Sequence, residues 1–403
     1  MSAPALDDQS TVCAEIESRL RAARGAMVAK GYSALIVYGN NKLVGSLRYL
    51  TGFFPDRAGW ISLGRDEIFL FEGAALVLPI DHEPVLLVEP GLTLAQEPCI
   101  SDVRVGSFTS SSSQGLTPRN LAGVLKDASV SGTVGIETWE KFPVPLWLEL
   151  TRQFPGVRFE HSVIVEELRL VKSAYEIEIL KRAALVGDLG HQTFVEALRS
   201  GIGKSELELV RIAEYAMRAA DPIYEDSCTN SPSLICSGTK IGGNLLHAPQ
   251  QKKTIKSGDI VHWDICTRHL GYDIDTSRTR SVGKPAPDHA RAYQVTLDIM
   301  NEVVKVAKPG RPAASLVDLA EKVAGGAGFT VWERFLGHGL GLDAHERPDM
   351  GAEGTPLAKN MVLAIEPRIV TDDGYLVGNE NMVLVENSGG TILNKFPMTP
   401  LEL

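Results

Sequence analysis

Long apolar runs are missing from these 403 residues: no stretch approaches the roughly 18 consecutive apolar residues that span a bilayer, so no transmembrane helix is predicted. The first ten residues, MSAPALDDQS, have neither the basic start nor the apolar stretch of a signal peptide. Cysteine is scarce as well. The five present (Cys13, Cys99, Cys228, Cys236, Cys266) are odd in number and form no CxxC pair, which reads as reduced thiols filling the core. These absences predict a soluble cytoplasmic protein with no membrane partner. Positive charge is also in short supply, with 40 Lys and Arg against 50 Asp and Glu and a formal net charge of -10. A phosphate backbone requires a basic face, so a nucleic-acid partner is excluded.

What is present is globular in character. Hydrophobic residues make up 44% and charged residues 22%, which argues against bulk disorder. The length exceeds one ordinary core and predicts two domains, residues 1–165 and 166–403. Ile16, Leu20, Ala23 and Met27 recur at helical spacing, and the β-rich run ALIVY (Ala34 to Tyr38) follows. The strand-like runs GWISLG, EIFLF and PVLLVEP, with helical patterns at Asn120 to Ala128 and Pro145 to Phe154, complete an α/β first domain. Ser107 to Ser113 reads as a solvated loop. Long helical patterns at Ser173 to Arg199 and Ser205 to Ala220 open the second domain. Beyond residue 230 strands dominate, broken by helical patterns at Asp288 to Ala307 and Ala313 to Val323, each after a proline. Helices on an antiparallel sheet make this half, and the chain as a whole, α+β.

Chemistry concentrates in two hairpins. DIVHWDICTRHLGYDIDTSRT alternates as two strands joined at RHLG, where a type I turn would favour glycine at its last position. A turn centred between His269 and Leu270 makes Asp264 and Asp275 direct cross-strand neighbours. In AIEPRIVTDDGYLVGNENMVLV, the Asp-Gly of TDDGY marks a second hairpin loop. Centred on Asp373, it sets Glu366 opposite Glu380. Opposed Cβ atoms lie roughly 4.5 to 5.5 Å apart, where like charges repel. Hydrated edge positions are the bland explanation, yet two acidic pairs in apolar strands are costly to bury. A cation is the simplest remedy.

Between the hairpins, FLGHGLGLDAHERP carries His338 and His345. Its glycines permit close backbone approach, and no Gly-Lys-Ser follows to suggest a phosphate loop.

The order Asp264, Asp275, His338, Glu366, Glu380, in the motifs WDICTRHLGYDIDTSRT, HGLGLDAHE, AIEP and NENMVLV, resembles the pita-bread metallohydrolases. That family includes methionine aminopeptidase, prolidase and aminopeptidase P, with creatinase as a metal-free relative. LRYLTGF and RLVKSAYEIEILKRA resemble the two-domain creatinase, prolidase and aminopeptidase P branch, so the likeness covers nearly the whole chain. It implies a creatinase-like α/β domain followed by a pita-bread domain, an antiparallel sheet flanked by helices, and a homodimer. It also implies two divalent metal ions. Asp275 and Glu380 would bridge them, Asp264 would chelate one, and His338 with Glu366 would bind the other, an activated water being the nucleophile. Four carboxylates and one imidazole suit Mn, Fe or Co better than Zn.

By the same resemblance His247, in NLLHAP, faces substrate, His345 hydrogen-bonds the reacting carbonyl, and Glu366 doubles as a proton shuttle. Strand parity puts His262 and Asp273 beside the ligands, His262 as a hydrogen-bonded neighbour and Asp273 without an assigned role, and turns Trp263 to the other face for packing. Two motifs depart from the family pattern. Glu366-Pro367-Arg368 stands where Glu-Pro-Gly is usual, and Gly378-Asn379-Glu380-Asn381 where Arg-x-Glu-Asp is usual. Arg368 shares the face of Glu366, so it is a candidate for binding a substrate carboxylate, or for a salt bridge to a ligand carboxylate. The leading expectation is hydrolysis of a small peptide or amide C–N bond, with an Xaa-Pro dipeptide as default substrate. The alternatives are a non-peptide amidohydrolase or metal-assisted lyase on the same scaffold, and a binding module, which would have lost ligands.

Overall fold

The computed structural model describes residues 6, 8–40, 43–54, 62–63, 68–69, 73–89, 98–106, 114–220, 224–226, 233–238, 246–351 and 354–403. Ser107 to Ser113, Cys228 and parts of GWISLG and EIFLF lie outside these residues. The chain divides into two compact units, Met1–Arg169 and Leu170–Leu403.

In the first unit ALIVY lies within the strand Tyr32–Gly39, which pairs antiparallel with Ala74–Pro79 on one side and parallel with Thr133–Glu137 on the other. Val85–Val88 and Asp102–Val105 extend the sheet at one edge and Arg158–His161 at the other, giving six strands. A core of Ile36, Val77, Leu87, Val134 and Ile136 packs beneath the helices Pro118–Asp127 and Val144–Gln153. The reading of all five cysteines as reduced core filler is corrected here. Cys13, on the helix Gln9–Lys30, and Cys99 form a disulfide with Cα atoms 5.1 Å apart. They are 86 residues apart in sequence, so spacing carries no sign of the pairing. It is made by the fold, in which the Cys99 N–H donates to Thr51 O at the end of helix Gly45–Thr51.

The second unit opens with helix Ala174–Arg199, started by a capping box in which Ser173 and Glu176 each satisfy the other's backbone N–H. This helix and Glu206–Ala220 pack against a sheet formed by Ser233–Ser237, Ile260–His269 and Tyr272–Ser281, with Tyr224–Asp226 also paired to Ile260–His269, all antiparallel. A second, five-stranded antiparallel sheet runs Glu346–Asp349, Gly337–Gly339, Val362–Ile365, Asn381–Glu386, Gly389–Ile392. Leu363, Ile365, Val383 and Val385 bury one of its faces against helices Pro287–Val306 and Ala314–Gly326. Alternation leaves the even-numbered positions His338, Ala364, Glu366 and Glu380 for the other face. On the first sheet Trp263 turns toward the helices, its ring stacked on Phe194 at 4.1 Å, so Asp264 turns away from them.

The first hairpin differs from the sequence expectation by two residues. His269 pairs with Tyr272, so Asp264 lies opposite Ser277, and Asp275 opposite Cys266. The connection is a two-residue loop, Leu270-Gly271, with φ of 50° and 84°. Two positive φ values characterise a primed turn, whose twist matches that of the strands, and Gly271 supplies one of them without strain. A shift of two keeps every side chain on its predicted face, so Asp264 and Asp275 become diagonal neighbours rather than a facing pair.

The second hairpin keeps the expected register. Arg368 pairs with Gly378 near the turn, and Ile365 with Asn381 farther out. Glu366 and Glu380 fall between these two ladders. The Pro367 ring has no N–H to donate, so pairing stops there. The Glu366 N–H turns to Leu336 O (2.8 Å) and the Glu380 N–H to Ser277 O (3.0 Å).

Candidate metal centre

The five residues singled out as ligands meet in one buried cluster. Ligand atoms of Asp275, His338 and His345 lie within 4.8 Å of one another, as do those of His338, Glu366 and Glu380, and those of Asp264, Cys266 and Asp275. Asp264, Asp275, His338, Glu366 and Glu380 are all buried. His338 Nε2 is 3.5 Å from Asp275 Oδ2 and 3.6 Å from Glu366 Oε1. Its Nδ1 lies 2.9 Å from the carbonyl oxygen of Gly339, which can only accept, so Nδ1 carries the proton and Nε2 the lone pair. Burial pushes the His338 pKa down to about 4, which keeps the ring neutral.

A lone pair facing carboxylate oxygens has nothing to bond. Among the described residues His338 Nε2, Asp264 Oδ1 and Glu380 Oε2 are buried without a hydrogen-bond partner. Burial, then the neighbouring carboxylates, pushes Asp275 and Glu380 well above the ordinary carboxylate range. Asp264 is pushed up to about 6, burial outweighing the pull of Arg368. Two orphaned oxygens and an orphaned nitrogen, buried beside further carboxylates, form a donor set that fits a divalent cation.

The guanidinium of Arg368 is already inside this cluster. Its Nη2 lies 2.6 Å from Glu366 Oε2, 2.9 Å from Asp264 Oδ2 and 3.6 Å from Glu380 Oε2. Arg368 thus shares the face of Glu366, as alternation indicates, and is engaged by the carboxylates of Asp264 and Glu366.

His345 stands at the edge of the cluster, exposed to solvent, its ring centroid 3.9 Å from that of His338. The protein packed around it, and next the imidazole of His338, lowers its pKa to about 4. Its loop is anchored by Glu346, which accepts from Asp343 N and pairs with the buried Lys172 at 3.0 Å. His247 is engaged elsewhere: its Nε2 lies 2.9 Å from Glu206 Oε2, beside Ser237 and Lys253. His262 Nδ1 lies 2.9 Å from Thr279 Oγ1, a hydrogen-bonded neighbour of the site. Asp273 accepts from Arg268 Nε at 3.2 Å.

Two contributors went unread in the sequence. Cys266 projects into the cluster, its Sγ 3.6 Å from Asp275 Oδ1, although cysteine had been assigned to packing. Its parity with Asp264 was the available signal. Lys172 had none, because its partner Glu346 is distant in sequence.

Residues 178–387 match the pattern of metallopeptidase family M24, and residues 19–171 that of the creatinase/prolidase N-terminal domain. The chain belongs to metallopeptidase family M24. Within M24 it is 30% identical over 237 residues to an Xaa-Pro dipeptidase of Pyrococcus furiosus, a stretch covering 58% of this chain and 65% of that relative. A prolidase of Thermococcus sibiricus superposes with a TM-score of 0.78 at 25% identity, covering 96% of this chain and 99% of its own. The dipeptidase PepE of Mycobacterium ulcerans gives a TM-score of 0.76 at 26% identity, over 97% and 98% of the two chains. These likenesses extend through both units, so the two-domain pita-bread architecture of the M24 branch is the architecture of this chain.

Proposed function

We propose that this chain is a divalent-metal-dependent hydrolase of a small peptide or amide C–N bond, with an Xaa-Pro dipeptide as its default substrate. The observation that carries the reading is the convergence of Asp264, Asp275, Glu366 and Glu380 with the unprotonated Nε2 of His338 on one buried point. A divalent ion held there supplies Lewis acidity toward the carbonyl and acidifies water to a nucleophile near neutral pH. The oxygen-rich donors favour Mn, Fe or Co over Zn.

The protein's own groups supply the rest. His345, open to solvent beside His338, would donate a hydrogen bond to the carbonyl oxygen as charge develops on it. Glu366 is the candidate to carry the proton from water to the leaving amine. His247 would meet substrate from the Glu206 side, the carboxylate fixing its ring. Arg368, in its alternative role, would pair with a substrate carboxylate. A homodimer and a cytoplasmic location belong to the same proposal, and among the described residues no helix is long and apolar enough to cross a membrane.

The test is substrate profiling of Mn(II)-reconstituted protein with Xaa-Pro and proline-free dipeptides. Turnover of Xaa-Pro members alone supports the reading. Arg368 within the site favours a second reading, a non-peptide small-molecule amidohydrolase or lyase, because the Glu-Pro-Gly of the peptidases is altered there. Turnover of carboxylate-bearing amides with every dipeptide inert would select it.

A further inference from the structure

The two departures from the family's motifs meet on one rung of the second hairpin. Arg368, where glycine is usual, pairs directly with Gly378, where arginine is usual. A Cβ at position 378 would come within 2.9 Å of Pro367 O and 3.0 Å of Arg368 Cγ. Glycine there clears the lane that the Arg368 side chain follows into the site.

That side chain ends among the ligands. One nitrogen, Nη2, is within 2.9 Å of carboxylate oxygens from both hairpins, Asp264 Oδ2 and Glu366 Oε2, and 3.6 Å from Glu380 Oε2. A guanidinium does not give up its proton in a protein, so it is a permanent positive charge. A metal ion bound to the same oxygens would sit roughly 2.0 to 2.2 Å from them and would collide with Nη2, besides being repelled by it. Asp275 Oδ2 and Glu366 Oε1 instead group around His338 Nε2, at 3.5 and 3.6 Å.

We propose that Arg368 is a resident monocation standing in for one of the two metal ions of the M24 pattern, so that the centre binds a single divalent ion through Asp275, His338, Glu366 and Glu380. This rests on the metal-dependent reading above and fixes the stoichiometry within it. Asp264 then serves as counter-ion to Arg368 rather than as a ligand. Against four carboxylates the guanidinium and one divalent ion together supply one positive charge fewer than two ions would, and half of the centre becomes part of the polypeptide.

The experiment counts ions. The full chain is reconstituted with Mn(II), freed of excess metal, and analysed for manganese per chain and by electron paramagnetic resonance. The expected result for the wild type is one ion with the spectrum of an isolated Mn(II). Arg368→Gly should bind two with the signature of an exchange-coupled pair, and so should the exchange variant Arg368→Gly/Gly378→Arg. Arg368→Ala provides the same readout should paired glycines unfold the hairpin. Two ions in the wild type would overturn the proposal. If Arg368→Gly then also raised KM for carboxylate substrates, Arg368 would be a substrate-binding residue instead. One ion in both wild type and all variants would equally overturn it, since Arg368 would not be what excludes the second. No ion in any of them would defeat the metal-dependent reading itself, an outcome distinct from a wrong count.

Discussion

The two hairpins of the second unit present carboxylates to the same cluster by opposite constructions. Ile260–His269 and Tyr272–Ser281 form an unbroken ladder of ten pairs. Its acids protrude from regular strand, on a face set by alternation alone. The second hairpin is interrupted where its acids lie, and the freed backbone of Glu366 and Glu380 bonds to Leu336 and Ser277. Arg278 then donates to Glu380 O at 2.6 Å and to Asn381 Oδ1 at 2.9 Å, and Thr279 Oγ1 exchanges hydrogen bonds with Gly378. The continuous hairpin is the frame, and the broken one is tied to it through the atoms that its break released. A side chain on regular strand needs only the correct parity to reach the cluster, whereas one at a break needs partners elsewhere in the fold.

Breaking the frame should have the largest effect. Asp275→Ala, in the middle of the continuous ladder, is expected to abolish metal binding and lower activity by at least about a thousandfold while circular dichroism stays that of the wild type. Metal retained at the wild-type level would show that Asp275 is not a central ligand. A smaller loss is expected beside the cluster. His345→Ala should reduce kcat by about two to three orders of magnitude with metal content unchanged. Metal loss as severe as in His338→Ala would mean that the two histidines have been assigned in the wrong order.

A buried carboxylate outside both hairpins provides the reference case. Glu137, in the first unit, is pushed up to about 7 by burial, against which hydrogen bonds from Ser162 and Val165 pull only in part. Its folded pKa lies above the ordinary 4.5, so the stability it contributes is complete below that value and is lost as pH rises through about 7. That difference corresponds to on the order of 3 kcal/mol, and Glu137→Gln should remove that part of the pH dependence. Denaturant melts at a pH near ~5 and near ~8 make the comparison, and an unchanged slope in the variant would assign the dependence to other groups. Where one acid is buried a proton suffices, and where four converge a metal is the fitting answer.

The smallest effect is expected at the turn that sets the first register. Gly271 has φ of 84°, so Gly271→Ala should destabilise by roughly 1 to 2 kcal/mol. Leu270, at φ 50°, pays a conformational cost that asparagine would reduce, so Leu270→Asn should raise Tm slightly with activity intact. A fall in Tm for Leu270→Asn would show that the leucine side chain matters more than its backbone.

The turn also shows where sequence reading stopped. Parity was legible because it depends only on counting along a strand, so Asp264 and Asp275 share the face expected of them, opposite to that of Trp263. Register in the first hairpin was not, since RHLG admits either a four-residue turn or the tighter two-residue loop. In the second hairpin the Asp-Gly signal was stronger, and the pairing is as read. The break at Glu366 could be anticipated from Pro367, but the partners of the freed N–H groups could not.

Local pattern and residue chemistry therefore determined the helices, the strands, the α+β class and the set of acids and histidines able to hold a cation. Only the tertiary structure decided which oxygens remain without a partner, that Cys13 meets Cys99, that Cys266 lies against Asp275, and that Arg368 enters the space left by Gly378. The physical reason is range. Alternation, turn chemistry and capping act within a few residues, whereas an ion pair or an orphaned lone pair depends on which distant segments the packed core brings within hydrogen-bond distance.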